Sequence, residues 1–250
     1  MVFFFRERFG KVFMQLKMGD FWQLMFPARC PVCDGILFPG DMICQECKTR
    51  IKVIEGAVCS KCGKPLSDER REYCSDCVKK RHPYQQGKAV FVYEGAIKGS
   101  LYRFKYSNKR EYATFYAGAA AERYKDWIKA KGIEAIAPIP MYFWKKRLRG
   151  YNQAEVFARA LGAEIGIRVD TKLVKRIRNT IPQKELSGAE RVQNLKNAFQ
   201  FSSDIVKYKK IMLVDDIYTT GSTMDAVTEV MLAAGVEEIY YICISIGEGC

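Results

Sequence analysis

Eight of the ten cysteines in this 250-residue chain are arranged in four Cys-x-x-Cys pairs. The pairs are Cys30 with Cys33, Cys44 with Cys47, Cys59 with Cys62, and Cys74 with Cys77. Thiolate is a soft ligand that suits Zn²⁺, and a spacing of two residues lets a tight turn direct both sulfurs at one metal. The pattern predicts structural zinc, and eight ligands fit two four-cysteine sites. Such sites leave no coordination position for a substrate.

The spacing does not decide which two pairs bind the same metal ion. Ten residues separate the first two pairs and eleven residues fill each later gap, so sequential and interleaved sites both fit. Sequential pairing is favoured because each half of the segment then closes its own short loop. The alternatives to metal are a redox dithiol or a set of disulfides. His82 is predicted to lie at the surface before Pro83 rather than to serve as a spare ligand.

The sequence also indicates a compartment. The apolar residues 3–5 are followed at once by the charged residues 6–8, so no secretory core follows. No apolar run approaches the roughly 18 residues that a membrane helix needs. We therefore expect a cytoplasmic protein with no membrane span, a setting in which disulfides are disfavoured.

Composition and periodicity divide the chain into three predicted parts. A hydrophobic content of 48% and a charged content of 28% are those of a globular protein, which excludes disorder. Residues 1–27 form an N-terminal helical segment, in which 3–18 are amphipathic; docking of this helix on the protein is favoured over binding to a membrane surface. Residues 28–82 form a double zinc-ribbon module, and residues 83–250 form a second domain.

The second domain alternates short apolar strands with helices. Strands are predicted at 88–93, within 133–140, and at 173–177, 198–201, 210–216 and 238–246; helices are predicted at 96–106, 110–131, 152–165 and 222–234. Short continuous apolar strands separated by helices are typical of an α/β fold with a mostly parallel sheet flanked by helices.

Residues 211–223, IMLVDDIYTTGST, carry the most informative chemistry. Two adjacent acids, Asp215 and Asp216, follow four apolar strand residues. The turn into the next helix is Thr219, Thr220, Gly221, Ser222 and Thr223. Ligands bind at the carboxyl ends of strands in an open α/β sheet, and the amides that begin a helix form an anion site. Because carboxylates repel phosphate but accept hydrogen bonds from sugar hydroxyls, directly or around a hydrated Mg²⁺, the stretch predicts a ribose 5-phosphate site.

Charge is segregated along the chain, whose net charge is +13. Residues 123–178 hold fourteen Lys and Arg against five Asp and Glu, whereas residues 211–250 hold seven acids and no Lys or Arg. A basic loop with a glycine is predicted after the strand that ends near residue 140. Its pyrophosphate-binding candidates are Arg147, Arg149, Gly150 and Asn152. Arginine suits pyrophosphate because of its planar fork of donors, and a solvated basic loop is the alternative.

Residues 211–223 resemble the 5-phosphoribosyl-1-pyrophosphate (PRPP) motif of type I phosphoribosyltransferases. The resemblance implies that Asp215 and Asp216 hold the ribose hydroxyls, that residues 219–223 cradle the 5-phosphate, and that Mg²⁺ binds with PRPP. It further implies catalytic roles for Asp215, Asp216 and Arg149. Thr219 departs from the members that use 6-oxopurines, which carry an acid at that position, so purine salvage of that kind is disfavoured.

The order of these segments resembles the ComF family. Its features are the cysteine-rich module, an RGxN-type segment at residues 149–152, a QxxLSxxER-type stretch at 183–191 and the PRPP motif, and the resemblance covers about residues 21–246. It implies a PRPP-binding, phosphoribosyltransferase-like protein that acts in natural transformation, on incoming single-stranded DNA in the cytosol.

Two functions remain open from the sequence. An enzyme would displace pyrophosphate from PRPP with an amine or a nucleobase nitrogen, and no residue identifies that acceptor. A non-catalytic module would sense PRPP or a nucleotide and bind single-stranded DNA through aromatic and basic side chains. The aromatic candidates are Tyr102, Phe104, Tyr106, Tyr142, Phe143 and Trp144. The zinc module is also compatible with docking to proteins of the DNA-uptake machinery. The polar residues 179–195 are compatible with either a lid or a surface loop.

Overall fold

The computed structural model of the chain describes residues 27–177 and 198–247. The helix predicted at 3–18 and the polar stretch 179–195 lie outside the described residues. The strands are β1 (Gln86–Val92), β2 (Ala135–Pro138), β3 (Val174–Arg176), β4 (Phe199–Phe201), β5 (Lys210–Tyr218) and β6 (Glu238–Ile246). The helices are α1 (Gln45–Arg50), α2 (Ser75–Lys79), α3 (Gly95–Tyr106), α4 (Tyr112–Lys131), α5 (Phe143–Arg149), α6 (Gln153–Ile165) and α7 (Ser222–Ala233), with a 3₁₀ helix at Ser203–Lys207.

Four strands form a parallel sheet in the order β1-β6-β5-β2, and β3 pairs with β4 in a separate antiparallel pair. β5 lies inside the sheet, where Leu213 is beside Tyr241 of β6 and Ala137 of β2. The apolar residues 211–214 of β5 are completely buried, as expected for a central strand covered on both faces. The predicted α/β fold with a parallel sheet is confirmed.

Alternate side chains of β5 enter two apolar clusters on opposite faces of the sheet. Met212 and Val214 pack in the cluster that contains α3, α4 and α6. Ile211 and Leu213 pack in the cluster that contains α7 and the β3–β4 pair. Because successive strand residues point to opposite faces, the two acids that follow this run also leave the strand on opposite faces.

The eight cysteines form two clusters by sequential pairing, which is the arrangement favoured from the sequence. One cluster contains Cys30, Cys33, Cys44 and Cys47, and the other contains Cys59, Cys62, Cys74 and Cys77; in each, the four sulfurs lie within 4.8 Å of one another. The sulfurs of Cys33 and Cys44 are 3.8 Å apart, and those of Cys62 and Cys74 are 3.6 Å apart. A tetrahedron with Zn–S bonds of about 2.3 Å has edges of about 3.8 Å, so both clusters fit zinc. No disulfide joins any of the cysteines in the described ranges.

The two ribbons repeat one local unit. In the first, the amide of Cys30 donates to the carbonyl of Gly35 at 2.8 Å; in the second, the amide of Cys59 donates to the carbonyl of Lys64 at 2.8 Å. Asp34, at the tip of the first turn, has a positive φ of 64°, a conformation that Asp and Asn tolerate better than most residues. The second pair of each ribbon lies at the start of a short helix, α1 or α2.

The segment between the ribbons covers the outer edge of β1. Val53 pairs with Phe91 in an antiparallel bridge. The amide of Ile54 donates to the carbonyl of Val90, and the amide of Val92 donates to the carbonyl of Lys52, each at 2.9 Å. Since β1 is a terminal strand of the sheet, these bonds satisfy backbone groups that an open edge would leave exposed.

The basic segment after β2 is a helix, so the prediction of a loop at this place is wrong. α5 spans Phe143–Arg149, and Gly150 ends it in the left-handed conformation at a φ of 80°. No glycine or proline interrupts the helix. A glycine in this position terminates the helix at low cost, which makes the sequence compatible with a single short helix.

Candidate functional site

Asp215 and Asp216 lie within β5, which continues to Tyr218. The strand is therefore two residues longer than predicted. The amide of Asp216 donates to Oδ1 of Asp215 at 2.8 Å. Oδ2 of Asp216 lies 3.0 Å from Nζ of Lys105, and both side chains are mostly buried. Lys105 belongs to α3, so one acid of the pair is neutralised from the face on which α3 packs.

Burial and the neighbouring acid raise the pKa of Asp215 to about 8, with burial the larger cause. The amide of Asp216, the ammonium of Lys105 and the guanidinium of Arg176 act in the opposite direction. Arg176 lies on β3, where burial lowers its own pKa. A carboxylate that is costly to ionise in the free protein gains most from a ligand that donates hydrogen bonds to its charged form.

The turn after β5 surrounds a cavity of about 180 Å³, lined by Asp215, Ile217, Tyr218, Thr219, Thr220, Gly221, Ser222, Thr223 and Met224. Gly221 has a φ of 75° and is the N-cap of α7. The hydroxyls of Thr220 and Ser222 lie 3.0 Å apart. The first amides of a helix have no partners within the helix, and its dipole favours an anion there. Six of the predicted PRPP-binding residues therefore line one cavity.

Asp216 is the predicted PRPP-binding residue that does not line this cavity, because it faces α3. The tip of β5 thus separates the two acids: Asp215 borders the cavity, and Asp216 borders the side where α3 and α5 lie. The acids are predictable from the sequence because they follow a run of apolar strand residues. Lys105 and Arg176 are not, because no local signal connects either cation to an acid about forty or more residues further along the chain.

The basic helix α5 reaches the same end of the sheet through α3. The guanidinium of Arg149 donates to the hydroxyl of Tyr106 at 2.8 Å and to Oε1 of Gln153 at 3.3 Å. Tyr106 is the neighbour of Lys105 in α3, so Arg149 lies close to the side on which Asp216 is neutralised. Arg147 is exposed, with its guanidinium 5.9 Å from the ring centre of Trp144.

Asn152, a predicted pyrophosphate-loop residue, has both polar atoms of its side chain hydrogen-bonded to the backbone. It is buried, its Nδ2 donates to the carbonyl of Ile139 at 2.9 Å, and its Oδ1 accepts from the amide of Ala154 at 3.2 Å. The side chain therefore caps α6 and holds that helix against the segment after β2. Gly150, by contrast, is an exposed residue between α5 and α6.

His82 is buried, so its predicted surface position is wrong. Its Nδ1 lies 2.7 Å from Oδ1 of Asp225, a buried acid in the first turn of α7. A Cβ placed on Gly221 would overlap the Tyr218 hydroxyl and lie 3.2 Å from Cε1 of His82. The residue that follows the second ribbon therefore packs directly behind the turn. A lone His before a Pro carries no signal of this contact, because its partner is 143 residues away.

Two family models match the chain. A double zinc ribbon domain matches residues 21–78, and a phosphoribosyl transferase domain matches residues 149–246. Competence protein F of Haemophilus influenzae is 33% identical over 221 residues, which cover 86% of this chain and 95% of that protein. The chain belongs to the ComF family.

Other relatives extend over similar lengths. DNA utilization protein YhgH of Escherichia coli K12 is 27% identical over 88% of this chain and 98% of its own. Competence protein ComFC of Bacillus subtilis is 26% identical over 80% of this chain and 82% of its own. A solved hypoxanthine phosphoribosyltransferase from Staphylococcus aureus gives a TM-score of 0.35 at 14% identity over 54% of this chain and 62% of its own, a similarity too low to bear on function. No helix in the described ranges has the length and apolar character needed to cross a membrane.

The raised pKa of Asp215 makes the stability of the ligand-free protein depend on pH. The folded protein retains this proton between roughly pH 4 and pH 8, where the unfolded chain loses it, so the free energy of unfolding falls as pH rises through that window. The Asp215→Asn substitution removes the effect. We expect the melting temperature of the variant to exceed that of wild type by an amount that grows from pH 5 to pH 8, at about 2–4 °C per kcal/mol.

Thermal melts at several pH values, without Mg²⁺ or ligand, measure this difference. The matched control is Glu164→Gln, which removes an exposed acid from α6. Its melting temperature should differ from wild type by a constant amount. A constant difference for Asp215→Asn as well would contradict the assignment.

Proposed function

We propose that the chain binds PRPP with Mg²⁺ across the carboxyl end of β5, as part of DNA uptake in the cytoplasm. The observation that carries the proposal is the order of groups along this edge. A helix-initiating turn comes first, the acids Asp215 and Asp216 follow, and the cations Lys105 and Arg149 lie beyond them. PRPP has a matching order of 5-phosphate, ribose hydroxyls and pyrophosphate.

Each part of the ligand has a counterpart in this order. The amides and hydroxyls of residues 219–223 bind the 5-phosphate, since they offer donors in the field of a helix N-terminus. Asp215 and Asp216 accept hydrogen bonds from the ribose hydroxyls. Arg149, with Arg147 at the rim, binds the pyrophosphate. Lys105 exchanges its contact with Asp216 for the ligand, and its release lets the acid accept from the sugar.

Oxygen donors of this kind fit Mg²⁺, which prefers carboxylates, phosphates and water. When bound, the ion neutralises charge on the pyrophosphate leaving group. The chain's own carboxylates stabilise positive charge that develops on the sugar as the bond from C1 to pyrophosphate breaks and a bond to the acceptor nitrogen forms. Thr219 offers no acid or base to a nucleobase, which disfavours 6-oxopurine acceptors. Relatives named for competence and for DNA utilization support the proposed context.

The PRPP site is tested with the paired substitutions Asp215→Asn and Asp216→Asn. We expect Mg²⁺-dependent PRPP binding, measured by calorimetry, to fall by at least about 100-fold, because two charged hydrogen-bond acceptors are lost. Circular dichroism should show an intact fold, and Glu164→Gln should bind as wild type does. Unchanged affinity in the double variant would refute the site. Release of pyrophosphate in the presence of added bases or amines then distinguishes an enzyme from a sensor.

Structural zinc in both ribbons is the second part of the proposal. Purified protein should contain two zinc ions per chain by elemental analysis, and Cys59→Ser should contain one, because three remaining thiolates hold zinc poorly. Cys243→Ala is the control, since Cys243 is buried in β6 outside both clusters. Two zinc ions retained in the Cys59 variant would exclude this residue as a ligand.

A second candidate function, binding of single-stranded DNA, is favoured by an exposed surface of aromatic and basic side chains. We define this aromatic-basic surface as Tyr102, Tyr106, Phe143, Trp144, Lys145, Lys146, Arg147 and Arg149. Its four aromatic residues are each more than half exposed. Phe104, in contrast, is completely buried and belongs to the core. The rings of Tyr102 and Tyr106 lie 4.9 Å apart, and the Arg149 guanidinium lies 4.7 Å from the centre of the Tyr106 ring.

Exposed rings beside cations suit bases and backbone phosphates, respectively. We expect the paired substitutions Phe143→Ala and Trp144→Ala to weaken binding to an oligothymidine at least about tenfold, measured by fluorescence anisotropy. Tyr73→Ala, which removes an exposed aromatic side chain from the second ribbon, should leave the affinity unchanged. Equal affinities for all three proteins would rule out stacking at this surface.

A further inference from the structure

Residues 80–82, which follow the second ribbon, contact the first turn of α7. Nδ1 of His82 lies 2.7 Å from Oδ1 of Asp225, and Nζ of Lys80 lies 2.5 Å from Oδ2 of the same residue. The side chains of His82 and Asp225 are 3% and 7% exposed. Because a carboxylate only accepts hydrogen bonds, we assign the hydrogen of His82 to Nδ1. Both oxygens of one buried acid are thus held by residues that directly follow α2.

Asp225 lies in the first turn of α7, directly after residues 219–224, which line the 180 Å³ cavity. Its amide donates to the carbonyl of Gly221 at 2.8 Å, which closes the first turn of α7. A Cβ on Gly221 would have no room, because it would overlap the Tyr218 hydroxyl and lie against the His82 ring. Fixing the Asp225 side chain therefore fixes the backbone whose amides lie at the start of the helix.

Tyrosine side chains form a second connection between the ribbon and the turn. The hydroxyls of Tyr84 and Tyr218 lie 2.7 Å apart in the core. The ring of Tyr84 stacks on His82 at 5.1 Å, and the ring of Tyr218 stacks on Tyr241 at 4.8 Å. The hydroxyl of Tyr241 donates to the carbonyl of the zinc-ribbon residue Cys62 at 2.7 Å. The turn at Cys62 in the second ribbon and the end of β5 are consequently packed together.

The first ribbon is anchored elsewhere. Oδ1 of Asp34 accepts from the hydroxyl of Tyr112 at 2.7 Å and lies 2.8 Å from Nζ of Lys109. Tyr112 begins α4 and Lys109 lies just before it, and α4 packs on the opposite face of the sheet from α7. The two ribbons therefore provide a natural comparison, because each is joined to the second domain through a buried or half-buried acid.

We propose that His82 and Asp225 are positioning residues for the 5-phosphate, so that the second ribbon is a working part of the phosphate site and the first ribbon is not. The proposal rests on the proposed function, and the ligand class is a phosphate monoester on a sugar. His82 and Asp225 do not touch the ligand. They hold the turn in the conformation that binds the phosphate. The entropic cost of ordering the turn then falls on folding and does not weaken binding.

Two substitutions at one position test the proposal. The amide nitrogen of Asn occupies the place of Nδ1, and that of Gln occupies the place of Nε2, so His82→Asn preserves the donor to Asp225 and His82→Gln removes it. We expect His82→Gln and Asp225→Asn to weaken ribose 5-phosphate binding about tenfold or more, as loss of a hydrogen bond to a charged group does. Binding of pyrophosphate with Mg²⁺ should be unchanged. His82→Asn should restore most of the lost affinity.

A measurement on the free protein separates this proposal from the proposed function. Hydrogen–deuterium exchange of residues 219–225 should be faster in His82→Gln than in wild type, and Asp34→Asn, which loosens the first ribbon, should leave it unchanged. Zinc content should be the same in all variants. If wild type binds ribose 5-phosphate but not PRPP, and the exchange pattern holds, the proposed function is wrong and the positioning role stands. If exchange at the turn is unaltered, or if both ligands weaken equally, the positioning role is wrong.

Discussion

Ionising both of two adjacent acids in a covered strand would place like charges side by side, and the architecture around β5 reduces that cost. Asp215 and Asp216 leave the strand on opposite faces, which separates the two side chains. Lys105 from α3 neutralises one face at 3.0 Å, and Arg176 from β3 lowers the cost of ionising the other. A polar pair of this kind destabilises the free protein, and a site that stores such a cost is suited to a ligand that relieves it.

The sequence was sufficient for features that depend on local spacing. The cysteine pairs, the continuous apolar runs of the strands and the acid-turn-helix order of 211–223 were all predicted from neighbouring residues, and the sequential clusters were favoured for the short loops they close. Features that depend on distant partners were not. No local sequence pattern around His82 indicates its contact with Asp225. The helical spacing of α3 predicts a helix but gives no indication that Lys105 contacts Asp216. The helical form of α5 was not predicted, because its cations and Gly150 were interpreted as a pyrophosphate-binding loop.

The cysteine module contacts the second domain at three separate places. The first ribbon packs against α3 and α4, the second packs behind the turn at α7, and the segment between them crosses the edge of β1. Each ribbon therefore contributes to a different apolar cluster of the same sheet. Zinc, when bound, stabilises the arrangement of both clusters rather than a separate appendage.

Both borders of the sheet are occupied by the chain itself. Residues 52–54 occupy the border at β1, and a parallel bridge from Val169 to Ile136 occupies the border at β2. Within the described residues, these contacts reduce the ability of the outer strands of the four-stranded sheet to pair with a second molecule. A fragment that started at residue 83 would lack residues 52–54 and would leave the outer backbone groups of β1 unpaired, so the segment between the ribbons also protects this edge against self-association.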